Sequence, residues 1–187
     1  SSKRGTLLHW HIEMFLNGAV LQGPFSTEFQ YFLSFYKDFF VVRGMVPVRT
    51  ELPIYHTGLC VAGQIDLLAK YEGTEDHVIL DWKRSKEIKF SNPWETLMAP
   101  LEHLQQTNLN VYSVQLNAYR YILQSEYGIR ITEMYLVICH ENNDEAKVIQ
   151  VEVMDEEMQA IVEREKELHG CREETCDPSA PFSVDHL

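Results

Sequence analysis

Residues 131–140 (ITEMYLVICH) form an almost unbroken apolar run, and this run restricts the fold more than any other feature of the chain. A strand with one wet face alternates apolar and polar side chains, whereas a continuous run belongs to a strand covered on both faces. Helices on the two sides of a sheet supply such cover, so the expectation is an α/β protein. The rest of the sequence reads the same way: helix first, three strands, a helix, two strands and a closing helix.

Residues 6–16 carry helical spacing. After the break at Gly18 and Gly23-Pro24, Ser26 or Thr27 can cap a second helix with Glu28 in its first turn. Phe29, Phe32, Leu33, Tyr36, Phe39 and Phe40 then form a core-facing stripe that Gly44 ends. Residues 46–55 and 58–71 read as strands joined by a turn at His56-Thr57-Gly58, and residues 77–83 (HVILDWK) as a third. Residues 90–110 read as a long excursion, of a length at which loops are functional or mobile. A helix from about Tyr112 to Tyr127 stops at Gly128. Residues 147–153 alternate as a fifth strand. The closing helix, 155–169, opens with Asp155-Glu156-Glu157 at the positive end of its dipole.

At 187 residues with 45% hydrophobic content, the chain fits a single domain spanning residues 1–187, with a polar tail over 170–187. It begins Ser-Ser-Lys-Arg without Met, which suggests either a fragment excised from a larger protein or a tag remnant. No stretch of 18 apolar residues is present, so no membrane span is expected. Four cysteines are too few and too scattered for a disulfide scaffold. Cys60 and Cys139 read as buried thiols, and an intracellular, reducing compartment is the expectation. The net charge of -12 argues against a broadly basic nucleic-acid surface. Local sign differs: from Lys83 to Lys89 the chain carries Lys83, Arg84, Lys86 and Lys89 against Glu87 alone.

That basic cluster adjoins the residues that carry chemistry. Asp66 lies in GQIDLLAKY, and Asp81-Trp82-Lys83 follows 15 residues later on the next strand. Strand side chains alternate, so Asp81 and Lys83 share a face and Trp82 takes the other. If the two strands pair as a hairpin, Asp66 approaches Asp81. Two carboxylates in one small volume repel each other, and a divalent cation between them makes sense of the arrangement. A lysine beside them can orient or deprotonate an attacking water and offset phosphate charge. The bland alternative is a turn-forming Asp and a chance D-x-K. Against it stands the apolar run Val78-Ile79-Leu80, which sets these charges at the end of a central strand, a costly place for unpaired carboxylates.

Three further groups are candidates. His9 and Glu13 lie four apart, on one helical face. His9 is a candidate metal ligand, although spacing alone favours a solvated His–Glu pair. Gln115 and Tyr119 are likewise four apart: the amide can hold a backbone or phosphate group, and the ring can stack on a base or buttress the lysine. An ordinary amphipathic helix explains them equally. Glu51, in VRTELPIY, offers a further acidic group near the metal or a plain surface carboxylate.

Taken in order, GTLLHWHIE, RTE, GQIDLLA, VILDWKRS and QLNAYRY resemble the RecB-like branch of the PD-(D/E)XK nuclease superfamily, over roughly residues 5–140. That branch includes RecB-type recombination nucleases and the mitochondrial genome maintenance exonuclease. The resemblance implies a restriction-endonuclease-like core, with a central mixed sheet of about five strands flanked by helices. It implies Mg²⁺ or Mn²⁺ held by His9, Asp66, Asp81 and the backbone carbonyl of Trp82, with Lys83 as the catalytic lysine. Gln115 and Tyr119 become a helix motif beside the site, touching substrate or lysine. Iron–sulfur members of the branch place one Cys before the His motif and three in a tight cluster after it. Only Cys171 and Cys176 lie in this tail, so no iron–sulfur cluster is expected. The expected activity is metal-dependent hydrolysis of phosphodiester bonds, with DNA favoured over RNA and exonuclease action favoured by analogy. Arg84, Lys86, Lys89 and Arg120 are then the candidate nucleic-acid contacts. Two rival readings are a catalytically silent module that keeps the fold to bind nucleic acid or act as a scaffold, and an endonuclease domain, for RNA included, of a larger replication, repair or recombination protein.

Overall fold

Strands form where the side-chain pattern calls for them, and their order sets where the charged residues end up. A computed structural model of the protein describes residues 2–169. The polar tail, with Cys171 and Cys176, lies outside the described residues. In chain order the elements are α1 (Ser2–Leu16), α2 (Thr27–Phe35) continued by a π-helical segment (Tyr36–Val41), β1 (Met45–His56), β2 (Val61–Tyr71), β3 (His77–Lys83), α3 (Asn108–Tyr127), β4 (Ile131–Ile138), β5 (Lys147–Gln150) and α4 (Asp155–His169). The sheet order is β1-β2-β3-β4-β5. β2 and β3 run antiparallel, β3 and β4 parallel, and β4 and β5 antiparallel. The expected mixed five-stranded α/β sheet is therefore present. β3 is its middle strand, and the apolar β4 lies beside it.

The chain folds as two compact units that alternate along the sequence. The first comprises Ser1–Leu52, Ile65–Glu87 and Arg130–Val151; the second comprises Pro53–Gln64, Ile88–Ile129 and the described residues of Glu152–Leu187. In the first unit, alternation along the strands sends Leu67 and Ala69 of β2, Val78, Leu80 and Trp82 of β3, and Tyr135 and Val137 of β4 into one core. Leu8 and Ile12 of α1 and Phe29, Phe32 and Phe35 of α2 meet them there. Each of these large side chains contributes about 1.5–3 kcal/mol on burial. The Trp82 ring sits edge-on to Phe32 at 5.2 Å between centroids, which pins the end of β3. The Ser26 hydroxyl caps α2 by accepting from the Phe29 N–H at 3.2 Å, as the sequence suggested. The aromatic stripe does not stay α-helical throughout: from Tyr36 it widens into the π segment before Gly44, at φ +79, closes it.

The second unit holds the far ends of β1 and β2, the excursion, α3 and α4. Leu97 and Leu101 of the excursion pack with Val114 and Ala118 of α3 and Met158 and Ile161 of α4. A bridge between Thr96 and Gln105 braces the excursion from within. α3 begins at Asn108, earlier than its apolar periodicity showed, because the Thr107 hydroxyl accepts from the Asn110 N–H at 3.1 Å. Gly128, at φ +65, ends it. Cys139 is buried and free as expected, but Cys60 is neither a buried strand residue nor a free thiol: it closes the turn after β1 at φ +52, is half-buried and is disulfide-bonded.

Candidate active site

Antiparallel pairing of β2 with β3 brings the two aspartates together. Leu67 stands opposite Leu80 and Leu68 opposite Ile79. One step further in that register puts Asp66 opposite Asp81, a separation at which cross-strand Cβ atoms are about 4.5–5.5 Å apart. The Trp82 N–H confirms the approach by donating to Asp66 Oδ2 at 2.8 Å. With the Trp82 ring in the core, Asp81 and Lys83 share the other face, and Lys83 Nζ lies 3.1 Å from Asp81 Oδ2. His9 reaches the same place from α1, its Nδ1 3.5 Å from Asp66 Oδ1.

The electrostatics of this group are lopsided. Asp81 is 5% exposed, and its Oδ2 is buried without a hydrogen bond of good geometry in spite of the nearby ammonium. Burial first, and the negative charge of Asp66 second, raise its carboxyl from 3.8 to about 7; Lys83 opposes the shift without cancelling it. Burial lowers the proton affinity of the His9 imidazole, but the hydrogen bond and charge of Asp66, with Asp81 and Glu51 behind, outweigh it and leave the pKa raised. Negative charge is thus crowded here beyond what Lys83 and His9 offset.

Of the two further acidic candidates, Glu51 joins the group and Glu13 does not. One ligand atom each from His9, Glu51 and Asp66 lies within 4.8 Å of the others, all three residues being half-buried. Glu13, although four residues from His9, has no part in that cluster. Gln115 and Tyr119 belong to the second unit, where the Gln115 amide donates to the Tyr119 hydroxyl at 3.0 Å. The Tyr119 ring is 5% exposed and lies so close to Gly63 that a Cβ there would meet ring carbon Cε1 at 2.5 Å. It packs inside the protein rather than offering a face to a base.

The basic candidates divide by burial. Arg84 is placed inside the first unit with its side chain 10% exposed: Nε lies 3.0 Å from Glu28 Oε1, and Nη2 lies 2.6 Å from Glu141 Oε1. Arg4 joins the same two carboxylates, at 2.7 and 3.1 Å. Burial alone would raise the Glu28 carboxyl, but a backbone hydrogen bond and those from the Arg84 and Arg4 guanidinium groups bring it down to about 2. Arg84 is therefore spent on an internal network and not on the surface contact expected of it. Arg120 pairs with Asp155 at 2.7 Å. Lys86 and Lys89 are exposed. The sequence reading missed Glu28 and Glu141 as partners, because ion pairs across 56 and 57 residues leave no periodic mark.

A family model matches residues 25–182, and its description is the PD-(D/E)XK nuclease superfamily. The chain belongs to this superfamily. The matched span holds Asp66, Asp81 and Lys83 and begins after His9. Among solved structures, the crystal structure of a "Putative exonuclease" from Eubacterium rectale matches with a TM-score of 0.51 at 11% identity. That likeness covers 89% of this chain and 65% of the other, so this chain spans about two-thirds of that protein's length, and it shows a shared restriction-endonuclease-like fold. A comparison with curated proteins finds no match. For a PD-(D/E)XK protein a divalent cation is the implied cofactor, and the side chains present suit one. Asp81 offers a buried oxygen that accepts no hydrogen bond, and Asp66, Glu51 and His9 add hard oxygen and imidazole donors.

Proposed function

We propose that this PD-(D/E)XK protein is a divalent-metal-dependent nuclease that hydrolyses phosphodiester bonds of DNA from an end. The observation that carries the reading is Asp81: a buried carboxylate set opposite Asp66 in the strand register, short of hydrogen bonds, with Lys83 Nζ at 3.1 Å. Lys83 opposes the repulsion from Asp66 without cancelling it, and a cation between the two carboxylates would complete the compensation. His9, Asp66, Asp81 and the backbone carbonyl of Trp82 would hold Mg²⁺ or Mn²⁺. When bound, the cation supplies Lewis acidity toward the phosphate and a water of lowered pKa.

The remaining work falls to the chain. Asp81 fixes the Lys83 ammonium, which donates to a non-bridging phosphate oxygen or to the attacking water and offsets charge that builds up in the transition state. The Trp82 N–H holds Asp66 in one orientation through Oδ2, which leaves Oδ1 directed to the His9 side. Exposed Lys86 and Lys89 lie three and six residues after Lys83 and serve as phosphate contacts. Nucleic acid is thus the proposed partner, and no helix among the described residues is long and apolar enough to cross a membrane.

End-labelled linear DNA, the same duplex blocked at its 5′ or 3′ end, single-stranded DNA, RNA and circular DNA, each with Mg²⁺, Mn²⁺ or EDTA, test the reading together. The expected result is metal-dependent loss of linear DNA, protection of the circle, and protection by one of the two end blocks. Intact substrates in both metals would end the enzymatic reading. Cleavage of the circle would convert an exonuclease into an endonuclease.

A further inference from the structure

Residues 88–98 (IKFSNPWETLM) sort their large apolar side chains into two sets. Ile88 and Leu97 are buried, as is Leu101 just beyond them, whereas Phe90 is 62% and Trp94 90% exposed, with Met98 exposed beside them in sequence. A single apolar side chain in water is ordinary; several on one short segment, an indole among them, mark a surface with an occupant. The exposure is not that of a slack loop. The Lys89 N–H donates to Asn108 Oδ1 at 2.7 Å, the Asn92 N–H to Gln105 Oε1 at 2.8 Å, and the Asn92 amide to the Gln106 carbonyl at 2.9 Å. Asn92 Oδ1 in turn accepts from the Trp94 N–H at 3.2 Å. Past Trp94, the Gln106 N–H donates to the Glu95 carbonyl and the Leu97 N–H to the Leu104 carbonyl, both at 2.9 Å. Ordering this backbone costs conformational entropy, and the indole it presents returns none of that cost as burial.

Charge and shape select the occupant. Lys89 is exposed, directly precedes Phe90 and makes no ion pair among the described residues. The only carboxylate between Ile88 and Met98 is that of Glu95, which accepts from the Asn92 amide at 3.3 Å. In a chain of net charge -12, this segment is therefore ground that a polyanion can approach. A second copy of the chain would bring the same net charge and be held off by it. Aromatic rings next to a lysine match a single strand, whose bases are free to stack while its phosphates meet the ammonium. In a duplex the bases are already stacked on one another. We infer that Phe90 and Trp94 form a base-stacking platform for single-stranded nucleic acid, with Lys89 on its phosphates. The inference rests on nucleic acid being the partner, as proposed above. It narrows the substrate to a strand that is single over this contact: a tail, an overhang or a frayed end.

Binding to the whole chain in EDTA reads the platform without any turnover. The probes are a fluorescent oligothymidylate, an abasic strand of the same length and a blunt hairpin duplex. The oligothymidylate should bind more tightly than the hairpin. Trp94→Ala and Phe90→Ala are each expected to weaken oligothymidylate binding by about fivefold or more, the lower end for a lost base–aromatic stack. Neither should alter binding of the abasic strand, which keeps the phosphates and lacks the bases. Lys89→Ala should weaken both strands alike. Trp94→Tyr should restore affinity for oligothymidylate and remove most of the quenching of indole emission that this strand causes in the unsubstituted chain. Unchanged oligothymidylate affinity in both alanine variants overturns the platform, and so does an equal loss on the abasic strand. A chain that self-associates until Trp94 is replaced, and binds strands as well afterwards, overturns it too. Cleavage assays keep the two levels apart. If the unsubstituted chain cleaves linear DNA with Mn²⁺ while Trp94→Ala and Phe90→Ala bind as tightly as it does, the platform falls and the nuclease stands. If the stacking signature is present in EDTA and no metal brings cleavage, the platform stands and the catalytic reading falls.

Discussion

Two buried charge clusters meet in the chain at the adjacent residues Lys83 and Arg84 and are built on opposite principles. Around Arg84, two arginines meet two carboxylates, and Glu28, 1% exposed, is held ionised down to about pH 2. Around Asp81, two aspartates and Glu51 face one lysine and one histidine, and the Asp81 carboxyl is pushed up to about 7. The first cluster closes its own charge balance inside the fold, as a structural ion-pair network must. The second leaves negative charge outstanding. Burial alone does not separate them, since both hold a nearly inaccessible carboxylate. The direction of the two pKa shifts does: the first cluster favours its charged form, and the second disfavours the charge on Asp81.

The largest effect should come from breaking the second cluster. Asp81→Asn keeps the shape and removes the charge. Its expected outcome is a loss of cleavage of about 10³-fold or more, in line with removal of a principal electrostatic group from a transition state. Metal-free stability at pH 8 should rise in the same variant, because a buried charge has gone; urea unfolding measures it. A change that abolishes activity and stabilises the fold is the signature of a site kept for function. Glu28→Ala should do the opposite. It strands the Arg84 guanidinium in the interior and is expected to cost about 3–5 kcal/mol by urea unfolding. Loss of cleavage in that variant should only follow the unfolded fraction. If Glu28→Ala left stability unchanged, the contrast between the clusters would be lost.

A pH series sharpens the contrast at a smaller scale. The folded Asp81 carboxyl titrates near 7 and the unfolded one near 3.8, so between these values the folded state holds the extra proton. Metal-free stability should therefore fall as pH rises from about 4 to about 7, by a few kcal/mol at most. Glu28 works in the other direction: its contribution is complete above 4.5 and is lost as pH drops through about 2. Chemical denaturation between pH 3 and 8 should show stability declining on the alkaline side. Asp81→Asn should flatten that decline, and Mn²⁺ should reverse it by competing with the proton.

How far these features are legible in the sequence depends on how local they are. β3 is readable to the residue, and with it the shared face of Asp81 and Lys83, because alternation is a two-residue signal. The Ser26 cap and the bounds of α4 are equally local. His9 is half legible. Helical spacing ties it to Glu13, but its partner in the fold is Asp66, 57 positions along the chain. The Arg84 network is illegible for the same reason, and a basic run from Lys83 to Lys89 disguises an interior guanidinium as a surface one. The anchoring of the 90–110 excursion is hidden too. Leu97 and Leu101 lie in an irregular segment, where four-residue spacing carries no meaning until α3 and α4 are in place. Nothing in VRTELPIY announces that Glu51 takes a positive φ, since no Gly, Asn or Asp marks the turn.

The smallest expected effect tests the division within that basic run. Lys86 and Lys89 are exposed, whereas Arg84 is enclosed by Glu28 and Glu141. An exposed lysine that meets a phosphate adds affinity through counterion release, which carries a salt dependence of roughly one power of salt concentration per contact. Lys89→Ala and Lys86→Ala should each raise the KM for DNA by a few-fold at low salt, leave kcat and Tm alone, and flatten the salt dependence of kcat/KM. Arg84→Ala should instead lower Tm and leave that salt slope as it was. The slope is the decisive measurement, because a guanidinium already paired to two carboxylates has no counterions to release. If Arg84→Ala flattened the slope as much as Lys89→Ala does, the internal network would have to open when DNA binds. The line drawn here between a structural and a functional cluster would then not hold.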